Sequence, residues 1–563
     1  MKPFRILTGL GAGLLLLLFS PASTHADDDP PLGARTDDDP FKGASVGIAA
    51  GKVLAAKWEY SIDGGKTFGL EALKITGTPT VTVRDDVARV KFNIDDPAQV
   101  GLLKVAMASG RGAFALTAGA SVDRYNVGAC PTMINTKITL NGQPTDAGHL
   151  PNTLYSYLGI DSMLLKKGEN TLELHGILWH KNYHRGSVPA DIELQILPTD
   201  RAALDRPPML GMIGPDYFGL AARAVIPSTF TVSVTPVDPP GATVDHPFPR
   251  TLQLKARVPL PRGTKRFRYS VEVHAGGATT TCGPYEAKAP TSGNGFRFMV
   301  AGGTLNRDHG RGVAPLLYAI DHTHRPDIFI HTGQYQNCTH WDFLWTEGFW
   351  RETQPTFART PLFAMSSPLE VGSLQSFSQM FFFPPDNEDW GHWTTAIGNV
   401  RFVAIEAFNQ SVDKTDSGLK WFEGVLKEAK EDYVIVLNSH VTHGSPTNYF
   451  KVFQKGIDHT AAKIDPLMVK YKVTLAIGSM HRCYERVEPP AGESVPTIIS
   501  CQAGGRGWQL RTEGKPPNPE SKKLSSDDHY CLFEVTPEGL KLTVINFQGK
   551  TLDSCVFKPR SGK

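Results

Sequence analysis

The chain has 563 residues, of which 20% are charged and 40% hydrophobic, and its 58 basic and 56 acidic side chains leave a net charge of +2. This composition excludes a wholly disordered chain, a helical bundle or coiled coil, and a protein drawn to nucleic acid by its overall charge. The 54 glycines and 42 prolines favour many turns and short strands, and the length allows several domains.

Residues 1–26 have the three-part layout of a secretory signal peptide. Lys2 and Arg5 precede an apolar run over residues 6–19, and small residues follow it. The run is shorter than the about 20 residues that span a bilayer, and no later segment is apolar and long enough to do so. We therefore expect a secreted, periplasmic or cell-envelope protein with no transmembrane segment after the signal peptide. A leader that is kept as an N-terminal anchor is the alternative.

The next two segments differ in composition. Residues 27–43 contain the tetrapeptide Asp-Asp-Asp-Pro twice, which predicts a flexible acidic linker. Residues 44–205 contain short alternating stretches such as Asn170–His175, separated by turn residues, which predict a β-sandwich. The segment Ile138–Gly142, followed by Leu164–His175, resembles the galactose-binding-like jelly rolls that accompany many secreted hydrolases.

Residues 206–290 form a second β-rich segment with proline-rich turns. Its alternating runs are Ser228–Val234, Thr251–Val258 and Phe267–Val273. The stretch Arg266–His274, followed by Gly283–Tyr285, resembles the fibronectin type III-like domain that precedes the catalytic domain of purple acid phosphatases. The position of this segment, directly before the C-terminal region, strengthens that resemblance.

The hydrophobic period changes in residues 291–563. Ser417–Lys430 has apolar residues at helical spacing, and between such stretches lie short apolar runs suited to buried strands. These runs are Phe296–Val300, Asp327–His331, Val400–Ala407, Tyr433–Asn438 and Val473–Gly478. The alternation of strands and helices predicts α/β layers with loops at the strand ends.

The region from Phe296 to Phe557 resembles the calcineurin-like metallophosphoesterase domain, in its purple acid phosphatase branch. The segments that carry the likeness are Pro326–Gly333, Pro361–Met365, Trp393–Phe402, Tyr433–Leu437 and Gly478–Arg486. The last of these ends in the Tyr-Glu-Arg tail of the family's late histidine motif. The resemblance implies a four-layer α/β domain in which two metal ions clamp phosphate and activate a bridging hydroxide.

Most positions that match the family's metal ligands carry other residues. Gly303 stands for the first aspartate, Gln334 for the bridging aspartate and Asn337 for the tyrosine. Ser367–Glu370 replaces the Gly-Asn-His-Glu motif, which leaves Glu370 as its acidic residue and no catalytic residue intact. In the late motifs, Ser439 takes a histidine position with His440 one place later, and Ser479 precedes a matching His481. We therefore expect no dinuclear centre.

The histidines that remain allow a smaller site. His440, His443 and His481 could hold one zinc ion, since three imidazoles suffice for it. The expectation is no cofactor or, if metal binds, a single Zn, Fe or Mn ion. The alternative is that these histidines are surface or supporting groups.

The cysteines leave the disulfide pattern open. Seven are present, so at least one is unpaired, and no CxxC motif suggests a thiolate zinc site. Cys531 and Cys555 flank a predicted strand pair and are predicted to form a disulfide. By motif position, Cys338 and Cys483 lie near the former metal site. They could form a pair, act as reactive thiols or be buried and inert.

The sequence favours an exported, catalytically inactive or altered member of the metallophosphoesterase superfamily. It would bind an unknown small-molecule, glycan or protein ligand, but not nucleic acid. One alternative is a phosphoric ester hydrolase with an unconventional metal site. The other is a carbohydrate-binding cell-surface protein that uses residues 44–205.

Overall fold

The structure is a computed structural model in which an antiparallel β region is followed by a mixed α/β region. It describes residues 52–54, 57–61, 65–68, 87–107, 137–144, 157–175, 192–199, 202–290, 293–304, 311–335, 345, 349–367, 377, 380–383, 392–405, 416–438, 442–445, 461–479, 483–504 and 518–560. Among these residues, no helix is long and apolar enough to cross a membrane.

The first β region contains two antiparallel sheets. One has the strand order β1-β9-β4-β7 and the other β2-β3-β8-β5-β6. On β3 the buried Val90 and Phe92 alternate with the exposed Lys91 and Asn93, as expected for a strand with one covered face, whereas residues 100–103 of β4 are all buried. The strands are β1 (Lys52–Val53), β2 (Trp58–Ser61), β3 (Val87–Ile94), β4 (Val100–Met107), β5 (Lys137–Leu140), β6 (Gln143–Pro144), β7 (Tyr157–Asp161), β8 (Gly168–His175) and β9 (Ile192–Pro198), with 3₁₀ turns at Pro97–Gln99 and Ser162–Leu164.

A five-stranded antiparallel sheet follows. Its strands are β10 (Leu204–Ile213), β11 (Tyr217–Asp238), β12 (Val244–Pro259), β13 (Arg266–Ala275) and β14 (Ala278–Lys288). Strand β11 is 22 residues long and pairs with β10 and β12 in its first half but with β12 and β13 in its second. Its register against β12 shifts between Arg223 and Phe230, where the change of neighbours occurs.

The α/β region contains two mixed sheets. The six-stranded sheet has the order β17-β16-β15-β25-β26-β27 and the seven-stranded sheet β18-β19-β20-β21-β23-β22-β24. The strands are β15 (Arg297–Ala301), β16 (Ile328–His331), β17 (Leu362–Ala364), β18 (Trp393–Ile397), β19 (Val400–Ile405), β20 (Tyr433–Asn438), β21 (Leu475–Gly478), β22 (Tyr484–Val487), β23 (Thr497–Ser500), β24 (Ser521–Ser525), β25 (His529–Thr536), β26 (Gly539–Asn546) and β27 (Thr551–Phe557). Strands β15 to β17 are parallel to one another, and so are β19, β20, β21 and β23.

Helices cover the outer faces of both sheets, which gives four layers. The helices are Ala314–Tyr318, Arg351–Phe357, Asp416–Glu428 and 461–470, with a 3₁₀ turn at Arg311–Val313 and a π-helix at Ala319–His324. Phe422 and Met468 pack on one sheet from outside, and Leu316 and Phe357 pack on the other. The central strands are thus covered on both faces, which explains their continuous apolar runs.

One hydrophobic core joins the middle sheet to the two sheets of the α/β region. Phe382 is part of this core and lies directly on Gly219 of β11, where a β-carbon would come within 2.0 Å of the ring. Hydrogen bonds cross the same boundary, from Tyr269 Oη to the Ala358 carbonyl at 2.8 Å and from Trp350 Nε1 to the Pro207 carbonyl at 2.6 Å.

One prediction from the cysteines is wrong. Cys531 lies on β25 and Cys555 on β27. Strand β26 separates them, which places their backbones about two strand spacings, or roughly 10 Å, apart. A disulfide requires α-carbons within about 7 Å of each other.

Candidate functional site

The candidate site lies where the parallel strands of both sheets end. Residues that follow β15, β16 and β17 come from the six-stranded sheet, and residues that follow β20, β21 and β23 come from the seven-stranded sheet. Ligand sites of α/β proteins lie outside such carboxyl ends. The two edges are joined directly, because Thr332 Oγ1 donates a hydrogen bond to the Ser500 carbonyl at 2.7 Å.

Gly303 is held by backbone contacts that leave no room for a side chain. Its φ angle is +68°, which is the left-handed region. A β-carbon at this position would lie 2.4 Å from the carbonyl oxygen of Cys501 and 3.2 Å from its sulfur. The Gly303 amide donates to the Gly333 carbonyl at 2.9 Å, which connects the loop after β15 to the loop after β16. The backbone of the opposite sheet therefore fills the space that a ligand side chain would need.

Gln334 occupies the second motif position in a buried loop. Its φ angle is +59°, and its side chain is 3% exposed. Its backbone amide donates to Ser367 Oγ at 3.1 Å, so the loop after β16 is held by the residue that begins the altered third motif. The amide side chain carries no charge, so it cannot bridge two divalent cations as an aspartate does.

His331, the last residue of β16, links the loop after β15 to the loop after β16 by hydrogen bonds. Its Nδ1 accepts a hydrogen bond from the Gly333 amide at 3.1 Å, so Nε2 carries the proton and donates to Thr304 Oγ1 at 3.1 Å. Thr304 in turn donates to the Tyr335 carbonyl, and the Tyr335 ring stacks on the imidazole with 3.7 Å between centroids. Burial lowers the pKa of His331 to about 3, so the ring is neutral. The sequence alone does not reveal this role, although it places His331 at the end of a buried strand.

His443 is paired with carboxylates. Its Nε2 lies 2.8 Å from an Asp465 oxygen, and its Nδ1 lies 4.0 Å from a Glu520 oxygen. Burial opposes the charged ring, but the hydrogen bond to Asp465 and the charges of Asp465, Glu520 and Glu493 outweigh it and raise the pKa of His443. The ring thus takes part in an ion-pair cluster.

The Tyr-Glu-Arg tail has a structural role that explains its presence. Successive residues of β22 point to opposite faces. Tyr484 Oη and Arg486 Nε each donate to Asp553 of β27 at 2.7 Å. Glu485 accepts from the amide of Ser445 at 2.8 Å and from its hydroxyl at 2.5 Å, which holds the loop that follows β20.

The remaining predicted site residues divide into two groups. Ser479 directly follows β21 and is fully buried at the same edge. The others lie outside the described residues: Asn337, Glu370, Ser439, His440 and His481. Whether the three histidines come together therefore stays a prediction.

The described positions do not fit the dinuclear metal centre that the fold family implies. Gly303 has neither a ligand atom nor space for one, and Gln334 and Ser479 are neutral. In the described part of the chain, no three His, Cys, Asp or Glu side chains are grouped so that they could hold a metal ion.

The α/β region has the calcineurin-like metallophosphoesterase fold. Within that class, the structure is similar to the purple acid phosphatase PPD1 from yellow lupin (Lupinus luteus) seeds, with a TM-score of 0.55 and 13% identity over 83% of this chain and 92% of that chain. It also matches PhoD, with a TM-score of 0.46 and 10% identity over 63% of this chain and 90% of that chain. Neither a protein-family model nor a curated protein sequence matches the chain.

Proposed function

We propose that the chain is an exported protein whose phosphoesterase-like domain lacks two-metal phosphatase chemistry and acts by binding a small molecule, a glycan or another protein. The contact between Gly303 and Cys501 supports this proposal most strongly. A ligand position that had only lost its side chain would leave an opening, whereas this one is packed. The buried strands supply a hydrophobic core, which is compatible with a stable fold that holds no metal.

The β-rich regions fit the role of accessory modules. We assign residues 44–205 to a galactose-binding-like jelly roll and residues 206–290 to a fibronectin type III-like domain, as their motifs suggest. Antiparallel sheets in both segments are compatible with these assignments. If the jelly roll provides the binding surface, a glycan array probed with the full mature chain should give specific signals.

Metal content and turnover test the proposal. The mature chain is purified, its bound metal is measured by elemental analysis, and an aryl phosphate is assayed with added Zn, Fe or Mn. We expect metal well below one equivalent and no turnover above background. His481→Ala tests the retained motif position, and His246→Ala is the matched control, since it removes an imidazole from β12.

The opposite result would support the hydrolase alternative. The proposal would be overturned by stoichiometric metal together with phosphatase turnover, if His481→Ala abolishes that turnover and His246→Ala preserves it. In that case a single Zn, Fe or Mn ion bound by His440, His443 and His481 would be the site to examine first.

A further inference from the structure

Cys483 and Cys501 face each other at the end of the β22–β23 strand pair. The last paired residues are Tyr484 and Ser500, and the two cysteines are the next residues outward on each strand. The Cys501 amide donates to the Cys483 carbonyl at 3.3 Å, which continues the antiparallel pairing by one residue. Directly opposite residues of antiparallel strands project to the same face.

The pairing geometry is compatible with a disulfide. Opposite residues that share a hydrogen bond have α-carbons about 5.5 Å apart, and disulfides are found at about 4.4–6.8 Å. The β-carbons of such a hydrogen-bonded pair lie about 5.5 Å apart, against about 3.5–4.5 Å in a disulfide, so closure needs an approach of about 1–2 Å. Both cysteines lie just outside the strand limits and are buried.

None of the five described cysteines forms a disulfide in the structure, and no strand pair brings together two of the remaining three. Their opposite residues are apolar: Cys282 lies opposite Val271, Cys531 opposite Val544 and Cys555 opposite Leu542. None of these three therefore lies directly opposite another described cysteine on a paired strand.

The pair also lies beside the former metal-ligand position. The atoms nearest to the site of a β-carbon on Gly303 are the carbonyl oxygen, carbonyl carbon and sulfur of Cys501. A bond from Cys501 to Cys483 would therefore fix the backbone that fills this part of the candidate site.

We propose that Cys483 and Cys501 form a cross-strand disulfide when the chain folds in an oxidising compartment. The proposal rests on the proposed export only for the source of the oxidant, which is a glutathione-type disulfide. One cysteine thiolate attacks oxidised glutathione and expels a first glutathione thiolate, and the second cysteine thiolate attacks the mixed disulfide and expels another. Two protein thiols are oxidised, and the electron pair and both protons end on two glutathione molecules.

Both side chains are buried in the folded chain, so the bond must form as the strands come together. The full mature chain is therefore refolded from denaturant, in parallel, in oxidised and in reduced glutathione buffer. Remaining thiols are alkylated under denaturing conditions, and peptides are mapped by mass spectrometry without reduction. We expect a linked peptide pair that contains Cys483 and Cys501, with loss of alkylation at both cysteines in oxidised buffer only.

Two variants sharpen the result. Cys483→Ser should restore alkylation of Cys501, whereas Cys555→Ser, a half-buried cysteine on β27, should leave the linked pair in place. Full alkylation of both cysteines after oxidised refolding of the wild-type chain would overturn the proposal, and so would a link from Cys483 to Cys338. If Cys483→Ser does not fold, the wild-type comparison alone decides. The readout involves neither metal nor ligand, so it fails or succeeds independently of the proposed function.

Discussion

Gly303→Ala should destabilise the protein more than a glycine substitution usually does. The backbone there has a φ angle of +68°, a conformation that costs an L-residue about 1–2 kcal/mol. The added methyl group would also lie 2.4 Å from the Cys501 carbonyl oxygen, and overpacking of this kind costs about 1–3 kcal/mol. Together these effects predict a loss of about 2–5 kcal/mol in the free energy of unfolding.

Gly492→Ala provides the matched control. Gly492 also lies in the α/β region and also has a positive φ angle, of +92°. No heavy atom lies within 4 Å of the position that an added methyl group would take, so only the conformational cost of about 1–2 kcal/mol applies. Urea unfolding followed by tryptophan fluorescence gives both values. Equal losses in the two variants would refute the reasoning. They would mean that the loop has room for a side chain at position 303, which is the position that a metal ligand would occupy.

Three further predictions concern packing and pH. Phe382→Ala should lower the free energy of unfolding by about 3–5 kcal/mol, because its ring fills the space above Gly219; a thermal midpoint unchanged from wild type would contradict this. The pKa of His443 is raised in the folded state, so its pair with Asp465 should stabilise the chain below about pH 6.5 and lose this effect as pH rises through the raised pKa. Urea midpoints measured across this pH range should show the trend, and His443→Gln should abolish it. The pKa of His331 is lowered to about 3, so between about pH 6.5 and pH 3 this imidazole binds a proton only in the unfolded chain. The free energy of unfolding should therefore fall by up to about 1.4 kcal/mol per pH unit towards pH 3. His331→Gln should flatten that slope in guanidinium titrations.

The central strands can be predicted well from the sequence because they are covered on both sides. The apolar run Tyr433–Asn438 predicts a strand, and β20 has the same limits, since every one of its residues is buried. The helix predicted at Ser417–Lys430 is found at Asp416–Glu428. Strand β11 is predicted only over Ser228–Val234, because its first half is buried on both faces and lacks the alternation that marks a strand.

Part of the candidate site can be predicted from the sequence. The substitutions at Gly303 and Gln334 are visible from the motifs that surround them. The packing of Cys501 on Gly303 is not, because it depends on how two sheets from distant parts of the chain meet. The same limit explains the wrong pairing of Cys531 with Cys555, since spacing along the chain does not reveal that β26 lies between their strands.

The shared hydrophobic core bears on how the chain can be divided. A fragment that begins at residue 291 would keep Phe382 and Trp350 but lose Gly219 and Pro207, the residues they contact across the boundary. Its newly exposed aromatic surface would favour aggregation, so poor behaviour of such a fragment would say nothing about its fold. Truncations, fusions and proteolytic fragments are therefore best designed with residues 204–560 kept as one piece.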